Sequence, residues 1–280
     1  MPGLVLEGGT FRPIFSCGVM DALLDHDMMF DYVIGVSAGI TDAVSYVSRQ
    51  KGRNLKVISA FRNDPRYLSL GNYLRGGSLF GLDFVYHQVP MRYFPFDWET
   101  YHAYQGKILV GVTNIRTGEP EYLDGMELDD RCMMLRATCA LPFYFPPIRI
   151  GEERYYDGGL SDSVPIRKSL RDGNRKNLII LTQPKGYRKE MTRGTLHAAR
   201  ALRLRYPKLA ETMRRRPKMY NDTICFCEQL AEKRPADTVL LRPEEPIDSF
   251  ESSVERLTGV YHKGYQMAVD NMERIRALFD

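Results

Sequence analysis

A serine between two glycines is the first chemistry this chain offers: Gly35-Val36-Ser37-Ala38-Gly39, set after the apolar stretch Tyr32-Val33-Ile34. Apolar residues at Ile40, Ala43, Val44 and Val47 recur at helical spacing, so the pentad reads as a strand–turn–helix corner. Small neighbours let the backbones approach at such a corner. The turn then pushes the central side chain out at the carboxyl end of a sheet. The helix that follows aims its first N–H groups at any negative charge developing there. A hydroxyl placed this way is a candidate nucleophile for acyl transfer. The pentad alone also arises by chance in chains of ordinary composition, so its partners decide the matter.

A serine nucleophile needs a base to take its proton and donors for the negative charge of its carbonyl substrate. The five histidines (His26, His87, His102, His197 and His262) all lie outside glycine-rich or turn contexts, and His197 and His262 fall in helical patterns. Asp157 is the carboxylate with a distinctive setting. It follows Tyr155-Tyr156 and precedes Gly158-Gly159, where a tight turn can hold a carboxylate fixed, although Asp-Gly-Gly by itself is only a turn. The third glycine-rich turn is Gly8-Gly9-Thr10-Phe11-Arg12-Pro13, between the strand-like Leu4-Val5-Leu6-Glu7 and a helix with Phe15, Val19, Ala22 and Leu23 on one face. Amides in such a loop can converge on one oxygen. It fits neither dinucleotide- nor nucleotide-binding loops, lacking both G-x-G-x-x-G and G-x-x-x-x-G-K-[ST].

In chain order, Gly8-Gly9-x-x-Arg12, Gly35-x-Ser37-x-Gly39 and Asp157-Gly158-Gly159, each after an apolar run, resemble the patatin-like phospholipase family. The stretch Arg136-Ala137-Thr138-Cys139-Ala140-Leu141-Pro142 with Tyr144-Phe145-Pro146-Pro147 is similar to the family's segment before its aspartate. Leu160-Ser161-Asp162-Ser163-Val164-Pro165-Ile166 is similar to its continuation. The resemblance covers about residues 4–184 and implies a three-layer α/β/α fold with a mainly parallel central sheet. It also implies a Ser-Asp dyad in place of a triad: Ser37 as nucleophile, Asp157 as base, and the amides of Gly8, Gly9, Thr10 and Ala38 as the oxyanion hole. Arg12, Gly35, Gly39, Gly158 and Gly159 would support these motifs. The implied activity is hydrolysis of lipid or other acyl esters through an acyl-enzyme, of the phospholipase A or lipid acyl hydrolase type, with no cofactor and no metal. Two positions depart from the family: Thr10 where a third glycine is common, and Pro13 where another glycine is common. Thr10 keeps an N–H if its backbone angles suit a β-branched residue, whereas Pro13 has none to give. A lipid-binding or scaffolding protein without turnover is therefore the reading from another class. Thioesterase and transacylase would use the same dyad. An ordinary aspartate, near pKa 3.9, is a poor base at neutral pH, so the dyad requires desolvation to raise it.

The elements that must position these residues follow an alternating pattern of strands and helices, which reads as α/β. Lys107–Thr113, the short return Glu121–Leu123 and Asn177–Thr182, with its apolar centre Leu178-Ile179-Ile180-Leu181, are strand-like. Residues 131–141 read as a helix. Between residues 61 and 105 aromatics crowd among glycines and prolines, expected either to cover an apolar pocket or to anchor an irregular segment. The chain divides into 1–184 and a mostly helical extension, 185–280, resembling that of bacterial patatin-like proteins. Within it, helices are expected at 194–220, broken at Pro207, and at 225–233, 252–257 and 264–279, with a strand at 238–241.

With 280 residues, 44% hydrophobic and 26% charged, the chain is long enough for a sizeable core, and its net charge of +4 points to no nucleic acid. Charge is uneven, however: residues 185–220 hold 12 Lys and Arg against 2 Asp and Glu. Such a block is either a solvated surface or a segment near the pocket mouth that draws the protein to anionic membrane or to anionic lipid substrates. Five cysteines without C-x-x-C spacing suit reduced thiols, and neither a leader nor an apolar run of spanning length is recognisable. The expected location is the cytoplasm, with peripheral contact at the inner face of the membrane.

Overall fold

The computed structural model describes all 280 residues. The chain runs β1 (Gly3–Leu6), α1 (Ile14–Asp25), β2 (Tyr32–Val36), α2 (Ser37–Val47), α3 (Arg53–Phe61), α4 (Leu70–Gly76), a π-helical turn (Phe84–Tyr93) and α5 (Trp98–His102). Then come β3 (Lys107–Asn114), β4 (Pro120–Asp124), α6 (Met133–Thr138), β5 (Ile148–Ile150), β6 (Glu153–Asp157), α7 (Ile166–Arg171) and β7 (Asn177–Ile180). The remainder is α8 (Arg193–Leu202), α9 (Pro207–Lys233), β8 (Thr238–Leu241), α10 (Val254–Asp270) and α11 (Met272–Arg276).

One eight-stranded sheet is ordered β5-β6-β3-β2-β1-β7-β8, with β4 pairing β3 off this path. The run from β3 through β2, β1 and β7 to β8 is parallel; β4, β5 and β6 add antiparallel pairs. Side chains of a strand alternate between faces, and β1 shows it: Leu4 and Leu6 enter the larger core with α1, α2 and α10. Val5 enters a smaller core with Val164 and Ile166 before and at the start of α7, and with Tyr220, Ile224 and Cys227 of α9. Those two cores on opposite faces make the three layers.

The β3 register decides where the carboxyl ends fall. β2 runs parallel to β3 as far as Val36 opposite Gly111, and β6 runs antiparallel from Asp157 opposite Val112. Because β4 occupies the other edge over Leu109–Thr113, β2 and β6 share a single edge in succession. They meet carboxyl end to carboxyl end.

Several expectations need correction, although the break at Pro207 is where it was expected: α8 ends at Leu202 and Pro207 is the first residue of α9, a position that needs no N–H. From there α9 continues unbroken through Pro217 and residues 221–224 to Lys233, because Tyr220, Thr223, Ile224 and Cys227 are buried against the sheet. The helix expected at 131–141 is confined to Met133–Thr138. The two final helices divide later than expected, since Val254–Asp270 is continuous. The strand β5, over Ile148–Ile150, carried too short a pattern to be read. The aromatics of 61–105 sit both in the core and along a cavity wall. Tyr67, Phe84, Tyr86 and Tyr101 are buried, Phe61 meets Phe84 edge-on at 5.1 Å, and Tyr67, Phe80 and Tyr86 line a cavity described below.

The extension is joined to the rest through backbone. β8 extends the sheet beside β7, and α10 lies against α1 with two glycines at the crossing. A Cβ on Gly18 would collide with the carbonyl of Tyr261, and one on Gly264 with the carbonyl of Phe15. Gly264→Ala is therefore expected to push the helices apart and cost about 1–3 kcal/mol. A melting temperature lowered by a few degrees in calorimetry checks this.

Candidate active site

All three glycine turns come together at one end of the sheet. Ser37 opens α2 with φ at 55°, in the left-handed region, as a sharp strand-to-helix corner requires. Its neighbours have no room for side chains: a Cβ on Gly39 would strike the carbonyl of Glu7, and one on Gly35 would lie 2.9 Å from Leu6 Cβ. Both glycines let α2 and β2 lie directly on β1. The Ser37 N–H donates to Thr138 Oγ1 at 2.8 Å, and the Thr138 hydroxyl donates to the Gly111 carbonyl. α6 thereby pins the corner.

Ser37 Oγ donates to Asp157 Oδ2 at 2.8 Å. The other carboxylate oxygen accepts from Gly159 N–H at 2.7 Å. Asp157 is itself fixed through its backbone: its N–H donates to Ala140 O at 2.8 Å, and its carbonyl accepts from Thr113 Oγ1 at 2.8 Å. Gly158 follows where a Cβ would collide with the Gly111 carbonyl. The segment around Arg136–Pro142 thus touches both residues, Thr138 holding Ser37 and Ala140 holding Asp157.

The Gly8-Gly9-Thr10 loop completes the arrangement. A Cβ on Gly8 would stand 2.7 Å from Ser37 Cβ, so the loop backbone lies against the serine. The amides of Gly8, Gly9 and Thr10 donate no hydrogen bond within the protein, although each is a strong donor. Ala38 N–H, in the first turn of α2, is likewise free of a backbone acceptor. Thr10 has φ at 59°, a left-handed conformation that a β-branched residue tolerates poorly, so its amide is presented at the cost of strain. Arg12 reaches back over Gly9, where a Cβ would stand 2.8 Å from its Nε, and donates to the hydroxyls of Ser249 and Thr182. Pro13 precedes α1 and contributes no donor.

Two cavities meet at Ser37. The first, of about 830 Å³, is mostly apolar and is lined by Ile14, Ile58, Tyr67, Phe80 and Tyr86 among others. It shares Thr41, Asn54, Ile58 and Tyr86 with a further apolar cavity that reaches Phe96 and Trp98, so the greasy path continues beneath residues 61–105. Asp42 is the one carboxylate in the wall of the first cavity, and burial pushes it up to about 7. The second cavity, of about 920 Å³, contains Gly8, Gly9, Asp157 and Gly159 in its wall, with Arg12, Lys189 and Arg216. No histidine lines either cavity at Ser37. Nearby Cys139 is held as a thiol, because burial pushes it up to about 12. Lys189 and Arg216 carried no sign of a site in the sequence; they were two cations in a basic block.

Burial raises the pKa of Asp157 above its ordinary 3.8, and Arg216, Ser37 and Gly159 oppose that rise. The site is nearly dry: Ser37 is 9% exposed and Asp157 3%. A carboxylate in this setting is a stronger base than a free one, while its hydrogen bonds keep it ionisable.

The family model described as "Patatin-like phospholipase" matches residues 4–169. The chain belongs to that family. A second model, described as a domain of unknown function (DUF6363), matches residues 206–280. The chain is also similar to the uncharacterized protein YjjU of Escherichia coli (strain K12), with 27% identity over 195 residues, 65% of this chain and 52% of that one. It thus spans about half the length of the curated relative it matches. A solved structure, that of VipD from Legionella pneumophila, aligns with a TM-score of 0.49 and 12% identity, over 97% of this chain and 66% of that one.

The raised pKa has a consequence for stability. In the window between 3.8 and its higher folded value, Asp157 binds more proton in the folded than in the unfolded state, so stability falls as pH rises through that window. Above it the ionised carboxylate is a standing cost. Asp157→Asn is expected to melt higher than the parent at pH 7, with the gain shrinking to nothing below about pH 4. Thermal melts of both proteins across that range check the sign.

Proposed function

We propose that the chain is a serine hydrolase of lipid or other acyl esters, working through a Ser37–Asp157 dyad. The observation that carries this reading is the 2.8 Å hydrogen bond from Ser37 Oγ to a desolvated Asp157, beside three free loop amides and at the mouth of an apolar cavity. The acyl chain enters the apolar cavity and the ester carbonyl lies over Ser37. Asp157 takes the hydroxyl proton as Oγ attacks the carbonyl carbon, and the amides of Gly8, Gly9 and Thr10, with Ala38, receive the oxyanion. Collapse of the tetrahedral species breaks the ester C–O bond, and the leaving alkoxide takes the proton from Asp157. Water, deprotonated by the same carboxylate, then attacks the acyl-enzyme; the bond to Ser37 Oγ breaks, Oγ takes the proton back from Asp157, and the fatty acid is released. A substrate filling the apolar cavity excludes water and strengthens the base. A thioester, or an alcohol in place of water, would use the same groups.

The opposing reading, a lipid-binding protein without turnover, draws on the strained Thr10. Both are decided together. Ser37→Ala and Asp157→Asn are each expected to lower p-nitrophenyl ester hydrolysis roughly 10³-fold or more while the fold persists. Each histidine changed to Gln is expected to leave the rate near that of the parent. Labelling by a fluorophosphonate, mapped to the peptide containing Ser37, identifies the nucleophile. An active Ser37→Ala protein, or an inert parent, sinks the proposal.

We also divide the chain at residue 184, with 61–105 as the cover of the acyl cavity and 185–280 as an extension that helps to wall the site. No helix is long and apolar enough to cross a membrane. A cytoplasmic enzyme touching an anionic bilayer through residues 185–220 fits the charge that remains outside. Arg215 and Lys218 are paired with Glu211 and Asp222, but Arg203 and Arg205 flank Leu204, which is 91% exposed. Each basic residue near such a surface adds about 1 kcal/mol, screened by salt. Cosedimentation with anionic but not neutral vesicles, lost at high salt, is the expected result.

A further inference from the structure

The cavity on the polar side of Ser37 differs in kind from the acyl cavity. Three cations reach its wall: Arg12 from the loop after β1, Lys189 from the segment after β7, and Arg216 from α9. None is ion-paired, although the chain forms thirteen such pairs elsewhere, most of them at its surface. Arg12 is spent on hydroxyls. Arg216 Nε donates to the Gly159 carbonyl at 2.7 Å and its two terminal nitrogens have no acceptor. Lys189 is held by its backbone, its N–H and carbonyl both bonded to the Asn221 side chain at 2.8 and 3.0 Å. Its ammonium lies 4.8 Å from the centre of the Tyr220 ring and has no hydrogen-bond acceptor.

Two carboxylates face the same space, and both are engaged. Glu7 accepts from Tyr220 OH at 2.9 Å and from Thr182 N–H at 2.7 Å, while Asp157 serves Ser37 and Gly159. Partial burial and the two neighbouring arginines push Lys189 down to about 8. Three cations against two carboxylates already engaged elsewhere leave an excess of positive charge, which is costly unless an anion arrives to pair it. The place is also telling. β2 lies on one side of β1 and β7 on the other, so the order of strands reverses at β1 and β7. The cavity opens outside their carboxyl ends, the crevice in which open α/β sheets hold ligands.

We propose that Arg12, Lys189 and Arg216 form a phosphate subsite for the alcohol half of the substrate, selecting acyl esters whose leaving group ends in an anionic phosphate. This rests on the hydrolase reading for the direction of the ester: acyl chain in the apolar cavity, phosphate-bearing alcohol in the cationic one, scissile carbonyl between them at Ser37. Guanidinium groups offer paired donors to phosphate oxygens, and the ammonium adds a point charge. The same three cations repel a quaternary ammonium head group. Two of the three come from the extension, which thereby acquires a part in substrate choice.

The test compares decanoylglycerol phosphate with decanoylglycerol, both below aggregation, for the parent and for Lys189→Gln and Lys189→Glu. Lys189 makes no side-chain hydrogen bond, so its replacement disturbs the fold least; a melt confirms that each variant is folded. The parent is expected to prefer the phosphate ester by about tenfold or more in kcat/KM. Lys189→Gln should cut that preference about tenfold, and Lys189→Glu should abolish it. Equal kcat/KM on the two esters, or an unchanged preference in both variants, overturns the proposal. Calorimetric titration of Ser37→Ala protein with the two lipids and with inorganic phosphate separates this failure from failure of the hydrolase reading. Tighter binding of the phosphate lipid, weakened by adding Lys189→Gln, upholds the subsite even if no ester is turned over. Binding of inorganic phosphate with no advantage of the phosphate lipid over the neutral one means a free anion occupies the cavity, and overturns the assignment to substrate.

Discussion

Two strands running in opposite senses along one edge of β3 end a single residue apart, and everything at the site depends on that collision. Val36 stands opposite Gly111 and Asp157 opposite Val112, so the residues just beyond and at these ends, Ser37 and Asp157, have nowhere to go but toward each other. The approach is possible because Gly158 and Gly111 bring no side chains to the junction, where a Cβ on either would meet its neighbours too closely. A backbone register, fixed by many ladder hydrogen bonds, is a stiffer ruler than any loop. The serine and carboxylate are therefore spaced by the sheet.

That spacing brings an electrostatic problem with it. A carboxylate sealed from water is unstable as a charge, and a missing partner would be more costly than a poor one. Here the Ser37 hydroxyl, the Gly159 amide and the field of Arg216 share the compensation. They do so incompletely, and the remaining imbalance is what makes Asp157 basic. Arg216 also donates to the Gly159 carbonyl, so the cation that moderates the charge braces the turn that carries it.

Much of this was legible in the sequence, and the reason is that close backbone approach admits one residue type. Gly35, Gly39, Gly8 and Gly158 each face a neighbouring strand or turn that leaves no room for a Cβ, so the constraint leaves its mark as glycine around Ser37 and after Asp157. Amphipathic spacing likewise exposed α1 and α2, and an unbroken apolar run exposed β7. Lys189, Arg216 and Thr138 left no such mark. They reach the site by tertiary packing alone, Arg216 from 57 residues beyond the carbonyl it holds. The expected end at 220 was wrong for a related reason: α9 runs on past Pro217 and Tyr220, held by the burial of Tyr220, Ile224 and Cys227 on the sheet. The positive φ of Thr10 was equally hidden, since nothing in its type announces a left-handed backbone.

The contact of Gly18 and Gly264, with the bond from Phe11 N–H to the Ser249 carbonyl at 3.2 Å, ties the first loop of the chain to its last long helix and the segment before it. These partners lie far apart along the chain, so the loop that carries the free amides leaves the ribosome well before the segment that frames it. Until α10 and Ser249 have followed, the loop and the corner at Ser37 lack the support that the folded chain gives them.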